Sequence, residues 1–335
     1  MLRKIGLKQI SGGINLIDLG SSGQLDSYWS ALERFLNLYA FDPNEEECER
    51  LSAADNNFAS ATYIPEAIAG QEGIYTLYKT KNIYCWSLLE PDMNWLSRFD
   101  YYDLFTIEET SQIRAKTLGD VEELKGVNID AIKCDTQGLE LPIFLSAPDI
   151  IDNAFLVETE TGFVENYKGE TTFTQISEFM QKKDFLLFGI NTSHRVSRNN
   201  QFSNKSSNQQ ILWCEAMWIK DYVAIEQKVG LNIDRAKALK ALMLCANHGC
   251  IDYGFELSTL FFEKKLITDS EYKSLKDIKG WYLQKSKLSN KIYAGLIKSV
   301  IHFLPRRIIR KLGNIFLEVS SKPHPVEIWL RGQRK

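Results

Sequence analysis

Apolar positions in the first two thirds of the chain follow two spacings in turn. Near-continuous apolar runs of strand length occur at 14–19, 38–41, 59–64, 129–134, 155–160 and 185–190. Between most of them the apolar residues return every three or four positions, starting with 25–38, which is rich in helix formers and predicts a helix. Strands and helices in alternation build a mostly parallel sheet, because parallel neighbours need a crossover and a helix supplies one. The run 210–219 follows a loop instead, and predicts a last strand running antiparallel at one side. Beyond Asp221 the spacing is helical only: 234–247 and 253–266 have it, and Thr268-Asp269-Ser270-Glu271 reads as a capping box opening a third helix towards Trp281. The expected division is 1–228 for the α/β domain and 229–335 for a helical, basic C-terminal region.

Two interruptions of the alternation are expected at the carboxyl ends of the strands, where open α/β sheets bind their ligands. The first, 75–117, is too long for a simple connection and mixes two strand-like patches with Trp86, Trp95, Phe99, Tyr101 and Tyr102. The second, 191–209, is rich in Asn, Ser and Gln and contains His194, Arg195 and Arg198. Each is a candidate lid. The plain alternatives are an aromatic cover over a hydrophobic edge and a solvated loop.

The first strand-to-helix connection brings in chemistry. Leu19 leads into Gly20-Ser21-Ser22-Gly23, whose glycines permit a tight turn and close backbone approach to a ligand. Asp42 ends the second strand, where a carboxylate can accept the hydroxyl protons of a ribose. A dinucleotide turn reads G-x-G-x-x-G and seats a pyrophosphate on the helix N-terminus. Here the third glycine is missing and Asp18 lies inside the strand, which favours a ligand with a cationic amino-acid end: S-adenosylmethionine. Asp18 is expected at its amino group, Gly20, Ser21, Ser22 and Gly23 at its backbone contacts, Asp42 and Asn44 at the ribose. Glu66 and Ala67 follow the third strand, on the adenine side.

Further segments fall into step with that turn. Phe41-Asp42-Pro43-Asn44, Tyr84-Cys85-Trp86-Ser87-Leu88 with Pro91, the block Ile132-Lys133-Cys134-Asp135-Thr136-Gln137-Gly138-Leu139-Glu140, and Val157-Glu158-Thr159-Glu160 with Phe163 and Tyr167 resemble, in order and spacing, the FkbM-type methyltransferase family over residues 13–220. The resemblance implies a Rossmann-like class I methyltransferase fold, with S-adenosylmethionine as cofactor and a hydroxyl of a sugar, glycan or other small molecule as acceptor. A hydroxyl attacks more readily when a base takes its proton, and Asp135, Glu140, Glu158, Glu160 and His194 are the candidates. The carboxylates are also oxygen ligands of the kind Mg²⁺ takes, but no metal is expected. Two alternatives stand beside this reading: a cofactor-binding protein without turnover, and a nicotinamide-dependent oxidoreductase.

Composition narrows the class further. With 335 residues, 44% apolar and 12% aromatic, the chain can bury a sizeable core, and no segment approaches the twenty or so apolar residues of a membrane span. Six scattered cysteines, several in apolar runs, suggest buried thiols rather than a disulfide framework, and with a Met1–Lys8 stretch lacking any sustained apolar region this suggests a cytoplasmic protein. Cys245, His248 and Cys250 resemble half a zinc site without the other half, and His248-Gly249 fits a helix end better.

The net charge of −3 hides an uneven distribution. Residues 278–317 hold nine Lys or Arg and no Asp or Glu, so the rest of the chain is strongly acidic. The basic stretch 279–316 has two apolar helical faces, which suit either an anionic membrane surface or packing against protein. Nucleic acid is not an expected partner, because the carboxylate block lacks the Asn/Asp-Pro-Pro-aromatic signature of amino-directed enzymes and the body of the chain is acidic.

Overall fold

The computed structural model describes residues 12–23, 25–201 and 209–276. The basic stretch 279–316, the N-terminal Met1–Lys8 and the far end of the helix towards Trp281 lie outside the described residues. The described residues divide into one compact unit, Gly12–Leu231, and a second that begins at Asn232.

In the first unit the strands are β1 (Ile14–Leu19), β2 (Leu36–Phe41), β3 (Ser60–Ile64), β4 (Ala67–Ile68), β5 (Gly73–Thr80), β6 (Ile107–Lys116), β7 (Ala131–Cys134), β8 (Leu156–Gly162), β9 (Phe185–Asn191), β10 (Arg195–Val196), β11 (Gln210–Ile211) and β12 (Trp213–Lys220). Seven of them form the central sheet in the order β3-β2-β1-β7-β8-β12-β9. The first five pair in parallel. β12 is antiparallel to both of its neighbours. The expected antiparallel last strand is therefore present, but it is wedged between β8 and β9 rather than laid along one side. Its burial explains the position: from Ala216 to Lys220 every residue is buried, so both faces need cover. β1 shows the same double-sided burial, as a strand covered on both faces must.

Helix α1 (Glu45–Ser52) starts at the Asn44 cap, and α3 (Glu140–Ser146), α4 (Pro148–Asn153) and α5 (Phe173–Lys182) complete the crossovers around β7 to β9. The helix expected over 25–38 is absent. Two 3-10 turns, Ser27–Ala31 and Glu33–Phe35, stand there, and β2 already begins at Leu36. The cause is tertiary anchoring: Trp29 is buried, its indole Nε1 and the Tyr28 hydroxyl both donate to Glu158 of β8, at 3.4 and 2.7 Å, and this outweighs helix propensity.

The insertion after β4 is a long antiparallel hairpin of β5 and β6 whose loop contains α2 (Met93–Leu96). Its aromatics divide between apolar packing and the wall of a cavity. Leu96, Phe105 and Tyr167 form one apolar cluster and Phe99, Val196 and Leu212 another, while other rings face a cavity described below. The described part of 191–209 is tied to this insertion rather than free in solvent. Asn199 N donates to Arg98 O at 2.8 Å, Asp100 N to Ser197 O at 3.1 Å, and the Arg198 guanidinium lies 4.5 Å from the Phe99 ring centre.

The helix α6 (Tyr222–Val229) ends the first unit. In the second, α7 (Arg235–Asn247) is capped by Asp234, whose carboxylate accepts from Lys237 N at 2.7 Å, and α8 (Ile251–Glu263) follows. Between them Gly249 takes φ +73° and Cys250 N donates to Cys245 O at 2.9 Å, the wrap-around closure of a helix end. Cys245, His248 and Cys250 belong to that closure. The expected capping box forms: Thr268 N donates to Glu271 Oε2 (2.8 Å), Glu271 N donates to Thr268 Oγ1 (3.3 Å), and 269–276 are helical. All six cysteines are buried thiols, with no disulfide among them. Among the described residues no helix is long and apolar enough to cross a membrane.

Candidate active site

The carboxyl ends of β1, β2, β7 and β8 bring the sequence candidates together. Gly20 turns the chain at φ +78°, and its N–H and that of Ser21 both donate to Phe41 O at 3.0 Å, which locks the turn onto the end of β2. A β-carbon at Gly20 would lie 1.9 Å from the carbonyl oxygen of Asp135, so only glycine lets β1 and β7 meet here. Ser22 donates to Asp42 Oδ2 and Asn44 N to Asp42 Oδ1, each at 2.8 Å. These bonds orient the carboxylate and leave it lone pairs for further donors. Burial raises the Asp42 carboxyl, and the bonds from Asn44 and Ser22 oppose the rise. Gly23 N donates to Glu47 Oε1 at 2.9 Å. The Ser21 hydroxyl is buried with no hydrogen-bond partner among the described residues.

Asp18 is buried and accepts from Lys133 Nζ at 3.1 Å. Burial alone would lower the Lys133 ammonium; the carboxylates of Asp18, Asp135 and Asp26 overcome it and hold the lysine charged. Asp26 itself is pushed up to about 6 by burial, against the pull of Lys133. Glu66 pairs with Lys116, and Ala67 packs with Ala69 and Ala115 against the small sheet of β4, β5 and β6.

A cavity of about 420 Å³ opens beside this turn. Asp135, Glu140, Glu160 and His194 all line it. Glu158, on the same strand as Glu160, does not: it holds Tyr28 and Trp29 instead. Gln137, in the left-handed region at φ +54°, donates through Nε2 to Asp135 Oδ1 (2.7 Å) and to Glu160 Oε1 (3.1 Å), while its Oε1 lies 2.9 Å from the Tyr167 hydroxyl. Burial raises both Asp135 and Glu160, Lys133 and Gln137 working against it at Asp135. Glu140 Oε1 accepts from Thr136 N, Thr136 Oγ1 and Gly138 N, and burial pushes its carboxyl up to about 8. On the facing wall His194 stacks on Trp213, with centroids 5.4 Å apart, and its Nε2 is 3.1 Å from Glu215 Oε1.

Three of these residues escaped the sequence reading. Lys133 and Gln137 stand inside the Asp135 block without an assigned task there. Glu215 left one signal, a single acid in the apolar run 211–219, and it pairs across β12 with Glu160.

A parallel sheet of this strand order, a glycine turn beneath an acid-tipped second strand and a carboxylate block at the fourth parallel position define a class I methyltransferase. Residues 22–187 match the family model of the methyltransferase FkbM domain, and the chain belongs to that family of S-adenosylmethionine-dependent methyltransferases. The match removes the nicotinamide alternative. Among solved structures, magnesium protoporphyrin IX methyltransferase from Synechocystis, with bound S-adenosylmethionine, is similar at 8% identity, 66% of this chain, 76% of that one and TM-score 0.30. The plantazolicin methyltransferase BpumL is similar at 13% identity over 66% of this chain and 81% of its own, with TM-score 0.32. TrmK from M. capricolum, in complex with S-adenosylhomocysteine, is similar at 9% identity, 82% and 92% coverage and TM-score 0.27. None of the curated proteins compared matches the chain.

Proposed function

We propose that the protein transfers a methyl group from S-adenosylmethionine to a hydroxyl of a sugar or related polyhydroxyl molecule bound in the cavity. The observation that supports this most is the meeting of two sites at one residue. The Asp135 backbone closes on Gly20 of the nucleotide turn, and the Asp135 side chain lines the cavity. S-adenosylmethionine, when bound, supplies a sulfonium-activated methyl carbon that an in-line oxygen takes as the carbon–sulfur bond breaks onto sulfur.

The chain's own residues do the rest. Asp42 offers oriented carboxylate oxygens to a ribose, Ser21 offers its unpartnered hydroxyl, and Asp18, held by Lys133, faces the amino-acid end. Asp135 accepts the acceptor's hydroxyl proton, and burial, by raising its pKa above the ordinary aspartate value, makes the carboxylate a stronger base. Gln137 fixes Asp135 relative to Glu160, so the base is positioned before the acceptor arrives.

The test is titration calorimetry with S-adenosylhomocysteine. Asp42→Ala removes a charged acceptor and is expected to weaken binding by about 1.5–3 kcal/mol. A protein that binds no S-adenosylhomocysteine, or an Ala variant that binds it as wild type does, contradicts the assignment.

A further inference from the structure

The cavity is one-sided in charge. Its lining holds four carboxylates, Asp135, Glu140, Glu160 and Glu170, and among the described residues no Lys or Arg. None of the four takes part in an ion pair among the described residues, and His194, the one lining residue able to become cationic, faces Glu215. Two lining side chains also have buried acceptor atoms without a donor among the described residues: Glu140 Oε2, in a residue 1% exposed, and Asn166 Oδ1, in a residue 4% exposed. Rings of Tyr84, Tyr101, Phe105 and Trp213 make up the apolar wall.

A cluster of acids with no lining cation, donor-hungry oxygens and aromatic faces together fit a cation with several N–H donors, since aromatic rings attract cations and buried acceptors need hydrogen. We propose that this cavity selects an acceptor that bears a protonated amine beside its hydroxyls, as an amino sugar does, and excludes phosphorylated or carboxylated sugars. The proposal rests on the methyltransferase reading of the cavity and adds the charge of the substrate to it.

The state of the acids without a ligand agrees. Burial pushes Glu140 up to about 8 and Glu170 up to about 7, and an ammonium group seated among them would draw off their protons and meet carboxylates. Anionic acceptors would find no lining guanidinium or ammonium to pair with and would oppose ionisation of these acids.

Matched acceptors test the charge directly. Methyl transfer from labelled S-adenosylmethionine is measured with hexosamines, the hexoses that carry a hydroxyl in place of the amine, and the corresponding hexuronates. The expected result is a kcat/KM at least tenfold higher for a hexosamine than for its hexose, and no transfer to the uronates. Glu140→Gln, which keeps an oxygen for Thr136 and Gly138 but cannot ionise to meet an ammonium, is expected to move the amine-to-hydroxyl ratio towards one. Equal or better transfer to hexoses or uronates, an unchanged ratio in Glu140→Gln, or no transfer to any member by protein that binds S-adenosylhomocysteine overturns the proposal. Failure to bind S-adenosylhomocysteine would instead overturn the reading it rests on.

Discussion

Asp135→Asn is expected to slow methyl transfer by about 10²-fold or more while S-adenosylhomocysteine affinity stays within a few-fold. In barrier terms the loss is about 2.7 kcal/mol. The substitution keeps the shape and leaves an oxygen for Gln137 Nε2, so what disappears is charge and basicity. Its pH signature follows from the direction of the shift. Burial raises the Asp135 carboxyl, and a base works only when ionised. Wild-type kcat/KM should therefore rise with pH through a value above the ordinary aspartate range of about 3.9, and this limb should vanish in the variant. Stability moves the other way. A raised acid favours its neutral form in the folded state, so its contribution is complete below the unfolded value and fades as pH climbs through the folded one. Asn cannot ionise, and the variant should melt at or above wild type in alkaline buffer. Undiminished turnover would return Asp135 to a purely architectural part.

Gly20→Ala is expected to cost about 2–5 kcal/mol of stability, the sum of about 1–2 for a left-handed alanine and about 1–3 for overpacking. The added carbon would sit 1.9 Å from the Asp135 carbonyl, backbone against backbone, so the ends of β1 and β7 must part to admit it. Gly23→Ala is the control. Gly23 also has positive φ, at +93°, but nothing lies within 4 Å of a β-carbon there, so only the conformational part applies. Thermal melts of both variants check the contrast. Similar losses for the two would mean that the approach of Gly20 to Asp135 is not the determining constraint.

The sheet was legible because its strands are buried on both faces and so read as apolar runs; β1 spans Ile14–Leu19 as the run predicts. The 25–38 helix misled because its fate is decided 130 positions away, by the bonds of Tyr28 and Trp29 to Glu158. Gly20, Asp42 and Asp135 could be found from the chain because each stands in a local pattern at a strand end. Glu215 could not, since its meaning arises only when β12 lies opposite Glu160. The aromatic insertion was recognisable by composition, but its two uses depend on which rings meet Tyr167 and Val196, far along the chain.

The wedged position of β12 sets an order of assembly. Synthesis delivers β8 and β9 before Trp213–Lys220 emerges, yet those two strands do not pair with each other: β8 pairs with β7 and with the later strand, and β9 pairs with the later strand alone. Until that last segment leaves the ribosome, β8 offers an open edge beside a parallel sheet and β9 has no neighbour at all. A nascent chain in that interval exposes an adhesive strand border, the kind of surface on which chains stick to one another. A fragment ending at residue 187, where the family match ends, would be held in that unfinished state permanently.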